Sequence, residues 1–130
     1  MADRTLIRVA QVALVLNALL ATVAATRFAF GFEPHAINEA AIMARRAAAG
    51  EFAGALAFLV VARRVGHDPT LLVLPALIVA SQLADSAFEF VARNEVRDVA
   101  PLIAEATFLF IYVVTLALRA SMAAFAAPAS

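Results

Sequence analysis

The chain has 130 residues, 65% of them hydrophobic, with a mean hydropathy of +0.92; soluble domains hold roughly 45 to 50% apolar residues, so this is the composition of a membrane protein. Ten Arg plus Lys balance ten Asp plus Glu, which excludes the basic footprint that nucleic-acid binding requires. Cysteine is absent, which excludes disulfides, thiolate metal sites, Cys nucleophiles and iron–sulfur clusters.

A spanning helix needs ~20 mainly apolar residues, so the sequence predicts an all-α integral membrane four-helix bundle with short loops, a single domain over 1–130. The first span is expected over 6–26. Arg4 and Arg8 precede it as in a signal peptide, but the apolar run is long for a signal h-region, and an uncleaved span is the expectation. Gly31 and Pro34 interrupt the helix in a Phe-rich loop. The second helix, over 38–63, is longer than a span needs and so tilts or projects from the bilayer. After Arg63-Arg64-Val65-Gly66-His67-Asp68-Pro69 a third helix is expected over 70–92, with Pro75 in its first turns as a kink point. The fourth is expected over 99–120, and residues 128–130 read as a frayed tail.

All ten basic residues are arginine, which suggests a high-GC bacterial genome and a place in a bacterial inner (plasma) membrane. Arg4, Arg8, Arg63, Arg64 and Arg119 on one side outnumber Arg27, Arg93 and Arg97 on the other, which places both termini in the cytoplasm. Counting Arg45 and Arg46 as loop residues makes the two sides equal.

Polar residues interrupt these spans: Arg46 and Glu51 in the second, Gln82, Asp85 and Glu89 in the third, Glu105 and Tyr112 in the fourth. An ionisable group in hydrocarbon costs ~2.5 to 3.5 kcal/mol on insertion scales, so they are expected to face one another rather than lipid. On the third helix Gln82, Asp85, Ser86, Glu89 and Arg93 recur at helical spacing and form one stripe; on the fourth, Glu105, Phe108, Tyr112, Thr115 and Arg119 share a seam. Gly50 and Gly54 make a small-xxx-small pair that permits close helix approach and would bury Glu51. Counting ~1.5 Å per residue from the helix ends, Arg46, Asp85, Glu89 and Glu105 fall in the same half of the membrane, with Glu51 nearer its middle. Arg46 points away from Glu51 and is expected to meet Asp85, Glu89 or Glu105. Carboxylates outnumber arginines there, so at least one acid is expected to be protonated or open to a cation. Asn17, opposite the polar face of its helix, reads as a helix-contact residue.

His35 and His67 fall in the first and second loops, on opposite faces of an alternating four-span protein, so they do not form a metal pair. No metal site and no cofactor is assigned, a carboxylate-only site for a hard cation being the weaker reading. No phosphate loop and no nucleophile pattern is present.

The layout resembles the small four-helix bacterial membrane proteins of the DoxX-like kind and related families of unassigned function. The resemblance is carried by the overall hydropathy and by Arg46, Gly50 and Gly54 at four-residue intervals, opening a span after a loop that contains Pro34. It covers most of the chain and implies a four-helix bundle; Glu51 follows Gly50 where a Gly doublet is expected.

The sequence thus predicts an acid-rich intramembrane pocket, open to one side, that binds or transports a small ligand, a cation or protons. A homodimer through the Ala- and Gly-rich second helix is the expected assembly. The alternatives are a membrane enzyme acting on a lipid-like substrate with Asp85 or Glu89 as acid or base, and an accessory subunit of a larger membrane complex. Whether the polar residues enclose a cavity or face outward separates these readings.

Overall fold

The computed structural model describes residues 2–31, 37–96 and 99–126. Among them are four α-helices and no strand: α1 (Ala2–Phe30), α2 (Glu39–Arg64), α3 (Val73–Arg93) and α4 (Val99–Ala126). The all-α four-helix class is therefore as the hydropathy predicts, and α1 and α4 extend beyond the expected spans. His35, Arg97 and the tail 128–130 lie outside the described residues.

Helix ends carry specific signals. Asn38 caps α2 by accepting a hydrogen bond from the backbone N–H of Ala41 at 2.8 Å, which satisfies one of the four unpaired donors of the first turn. Asp68 accepts from the N–H of Thr70 at 3.3 Å and from its hydroxyl, and so caps a 3-10 turn at Pro69–Leu72 that leads into α3. Pro75 is buried within the first turn of α3, where a missing N–H removes no helical bond, so the expected kink is instead a helix start. Asn94 ends α3 in the left-handed region at φ 52°, its N–H bonding to the Phe90 carbonyl at 2.7 Å; asparagine tolerates that conformation better than most residues.

The bundle is built with small residues inside and large ones outside. Ala10, Ala13, Leu14, Ala18, Ala21 and Ala25 form the buried face of α1, and Ala41, Ala44, Ala48, Ala55 and Ala62 the buried face of α2. Val12, Leu16, Leu19, Leu20, Leu56 and Val60 point outward. In water such an arrangement would waste the hydrophobic effect; in a bilayer, where lipid tails are as apolar as Leu, helices associate through close packing of small side chains. Three helical stretches, Arg4–Phe30, Pro69–Arg93 and Val99–Ser121, are long and apolar enough to cross a membrane. The 26 residues of α2 are long enough, but Arg45, Arg46, Glu51, Arg63 and Arg64 make it less uniformly apolar.

The closest helix pairs are α1 with α2 and α3 with α4, and α1 also packs on α4. Although a short connection joins α2 to α3, these two pack loosely. Phe58, Leu72, Val79 and Tyr112 occupy the larger core positions, each fully buried. Gly50 and Gly54 are not close-packing positions: a Cβ at either would meet nothing within 4 Å. The alanines make the close approach instead.

Candidate functional site

Carboxylates from three helices, Glu51 on α2, Asp85 and Glu89 on α3 and Glu105 on α4, come within electrostatic reach of one another around Glu105. Ser86 on α3 donates a hydrogen bond to Oε1 of Glu105 on α4 at 3.0 Å. The second oxygen, Oε2, is buried and has no hydrogen-bond partner, although Glu105 as a residue is only half-buried. Glu51, Asp85 and Glu89 lie within electrostatic reach of Glu105. The third-helix stripe and the fourth-helix seam read from spacing thus meet here.

Depth follows from two cross-helix contacts. Asn17 donates through Nδ2 to the Tyr112 hydroxyl at 3.1 Å, close to the midpoint of α1; Gln11 donates through Nε2 to the Ala62 carbonyl at 3.0 Å. Counted along the bundle from the Asn17 level at ~1.5 Å per residue, Glu105 sits about 10 Å, Glu51 about 7 to 8 Å and Arg46 about 15 Å toward the end away from Arg4.

The individual placements separate the acids from the other residues of the predicted site. Asp85 and Glu89 are exposed on the isolated chain, Gln82 and Glu51 half-buried. Glu89 pairs with Arg93 one turn on, at 3.8 Å, both side chains about half exposed; such an exposed pair contributes little stability. Arg46 is exposed and, among the described residues, makes no ion pair with any of the acids. Tyr112 is fully enclosed and bonded to Asn17, so it ties α1 to α4 instead of lining a ligand site. No group of three or more His, Asp or Glu side chains among the described residues has the geometry of a metal site.

A second polar region lies at the opposite end of the bundle. Arg4, Ile7, Arg8, Gln11, Gly66 and Arg119 line a recess of about 300 Å³. Gln11 also lines an adjoining groove of about 560 Å³ between α1 and α2. The i, i+3, i+4, i+7 spacing of Arg4, Ile7, Arg8 and Gln11 puts them on one face of α1 and is the sequence signal for this region. Compared with known proteins, the chain matches no family model, no curated protein and no solved structure.

Proposed function

We propose that the chain is a four-span membrane protein whose acid group around Glu105 takes up a cationic group, in its simplest form a small amphipathic cation that enters sideways from the bilayer. The observation that carries this reading is Oε2 of Glu105, a buried acceptor with no donor. A buried carboxylate oxygen without a partner costs on the order of 1 to 3 kcal/mol or more, and Glu51, Asp85 and Glu89 add like charge around it. A ligand cation would supply the missing donor and offset that repulsion. Glu105 is then the acceptor, Glu51 and Asp85 add negative charge beside it, and Gln82 offers a neutral hydrogen-bonding group on the α3 face that carries Asp85.

The test is thermal unfolding in detergent with and without a lipophilic ammonium such as dodecyltrimethylammonium, using dodecylmaltoside as the neutral background. Wild type should gain several degrees on adding the cation, and Glu105→Gln should gain none while starting from a higher melting temperature. An equal gain in both proteins would overturn the assignment of Glu105.

A second reading, a subunit surface at which another chain contributes the cation, is favoured by the exposure of Asp85, Glu89 and Arg46. Mass measurement in mild detergent separates the two. A monomer that responds to the cation supports the ligand; an oligomer that Asp85→Asn dissociates supports the subunit.

A further inference from the structure

We infer that the end of the bundle opposite the carboxylates holds one anionic phospholipid, its phosphate in the Arg4, Arg8 and Arg119 recess and an acyl chain in the groove between α1 and α2. This inference is independent of the cation reading, since it uses other residues and the other half of the molecule.

Three guanidinium groups from two helices border a single recess of about 300 Å³. Planar guanidinium forks match the oxygens of a phosphate and bind it bidentately, more specifically than a lysine point charge does. The described residues that line the recess are three arginines with Ile7, Gln11 and Gly66. Gln11 fixes the inner wall: it donates to the Ala62 carbonyl at 3.0 Å, one of the last four carbonyls of α2 and so without a helical donor of its own. That bond holds the start of α1 against the end of α2. Gly66 supplies the floor, where a Cβ would come within 4.0 Å of the Ile7 side chain.

The level is that of lipid headgroups. At ~1.5 Å per residue from the Asn17 level, Arg8 lies about 13 to 14 Å and Arg4 about 19 to 20 Å from the midplane, which brackets the edge of a ~30 Å hydrocarbon layer. Arg119, seven residues beyond Tyr112, starts deeper and reaches toward the same level along its apolar stem.

The adjoining groove gives the reason for a diacyl lipid rather than a free anion. Gln11 and Arg63 stand at its headgroup end, and Val15 on α1 with Leu56, Leu59 and Val60 on α2 form its apolar walls. From Arg63 to Leu56 the groove rises about 10 Å along α2 toward the membrane centre, the direction in which an acyl chain leaves a phosphate held by Arg4 and Arg8. Its volume of about 560 Å³ accommodates a substantial part of one such chain. Charge and shape therefore call for the same molecule: a phosphate diester at the rim and hydrocarbon inside.

The test is native mass spectrometry of the detergent-purified chain, titrated with phosphatidylglycerol, phosphatidylcholine or glycerol 3-phosphate. A single phosphatidylglycerol should bind well ahead of phosphatidylcholine, and glycerol 3-phosphate should not compete at equal concentration. The Arg8→Gln, Arg119→Gln double variant should lose about ten- to thirtyfold in phosphatidylglycerol affinity, as expected for two arginines near a membrane surface. Arg8→Lys should lose less, and Leu59→Trp, which fills the groove, should weaken phosphatidylglycerol while leaving the charge unchanged. Circular dichroism of each variant checks that the bundle is intact, and Arg27→Gln, at the far end of α1, is the control for a general charge effect. Equal binding of the two phospholipids, or an equal loss in Arg27→Gln, would overturn the recess. Full competition by glycerol 3-phosphate would overturn the groove and leave a soluble-anion site.

Discussion

Tyr112 and Asn17 form a buried side-chain hydrogen bond between α1 and α4 at 3.1 Å. Interhelical bonds of this kind in membranes are worth about 0.6 kcal/mol on average and up to about 1.7, but the neighbouring packing leaves Asn17 no water if its partner goes. Tyr112→Phe should therefore destabilise the chain by about 1 to 2 kcal/mol. Asn17→Leu together with Tyr112→Phe should cost less than the sum of the two single changes, as read by reversible unfolding in mixed detergent. An additive result would mean that the bond carries no coupling. The role of Asn17 was legible because it stands on the face opposite the polar stripe, whereas that of Tyr112 was legible only as a face: a tyrosine in an apolar seam looks alike whether its hydroxyl meets a ligand or an asparagine. The acids divide in the same way. Helical spacing identifies Ser86 and Glu105 as inward residues, but their 3.0 Å bond depends on the register between α3 and α4, which one-dimensional spacing does not contain. The helical wheel turns Arg46 away from Glu51 and toward the other acids, but its side chain is exposed and joins none of them; which neighbour it faces depends on how α2 is rotated in the bundle, which one-dimensional spacing does not contain.

At the level of elements, the pairing of α1 with α2 rests on alanine against alanine, with buried Ala13 on one side and buried Ala48 on the other. Ala13→Leu or Ala48→Leu should force the helices apart and cost about 1 to 3 kcal/mol. Gly50 and Gly54 should behave oppositely. A Cβ at either meets nothing within 4 Å, and alanine is favoured over glycine in a helix interior by up to about 1 kcal/mol, so Gly50→Ala and Gly54→Ala should each raise the melting temperature. A loss at either position would mean that a second chain covers that face of α2. Helix existence was legible from hydropathy, and Pro69 and Asn94 mark real ends because their backbone constraints are local. The contact face of α2 was not, since Ala is abundant on every side of that helix and the Gly50–Gly54 spacing is the more conspicuous pattern.

For the whole molecule, the question left by composition is whether α2 crosses the membrane like the other three. Three stretches are apolar enough by themselves, whereas α2 carries Arg45, Arg46 and Glu51 in its first half. Its packing argues that it crosses with them: its buried alanines lie along α1 from Ala41 to Ala62, so α2 runs beside a spanning helix for most of its length. A single charged residue at the centre of a span costs ~2.5 to 3.5 kcal/mol, which close packing over that length can offset, and Arg45 and Arg46 fall near the boundary where their cost is small. The absence of native cysteine allows a direct measurement with single-cysteine variants and a membrane-impermeant maleimide. If α2 spans, Thr5→Cys and His67→Cys label from one side of sealed vesicles, and Gly31→Cys and Glu95→Cys from the other. If α2 lies along the surface instead, His67→Cys labels with Gly31→Cys, and Glu95→Cys moves to the side of Thr5→Cys. That pattern would put the carboxylates around Glu105 and the arginine recess on different membrane relations from those argued above, because Gln11 and Ala62, bonded at 3.0 Å, could then no longer belong to two antiparallel spans.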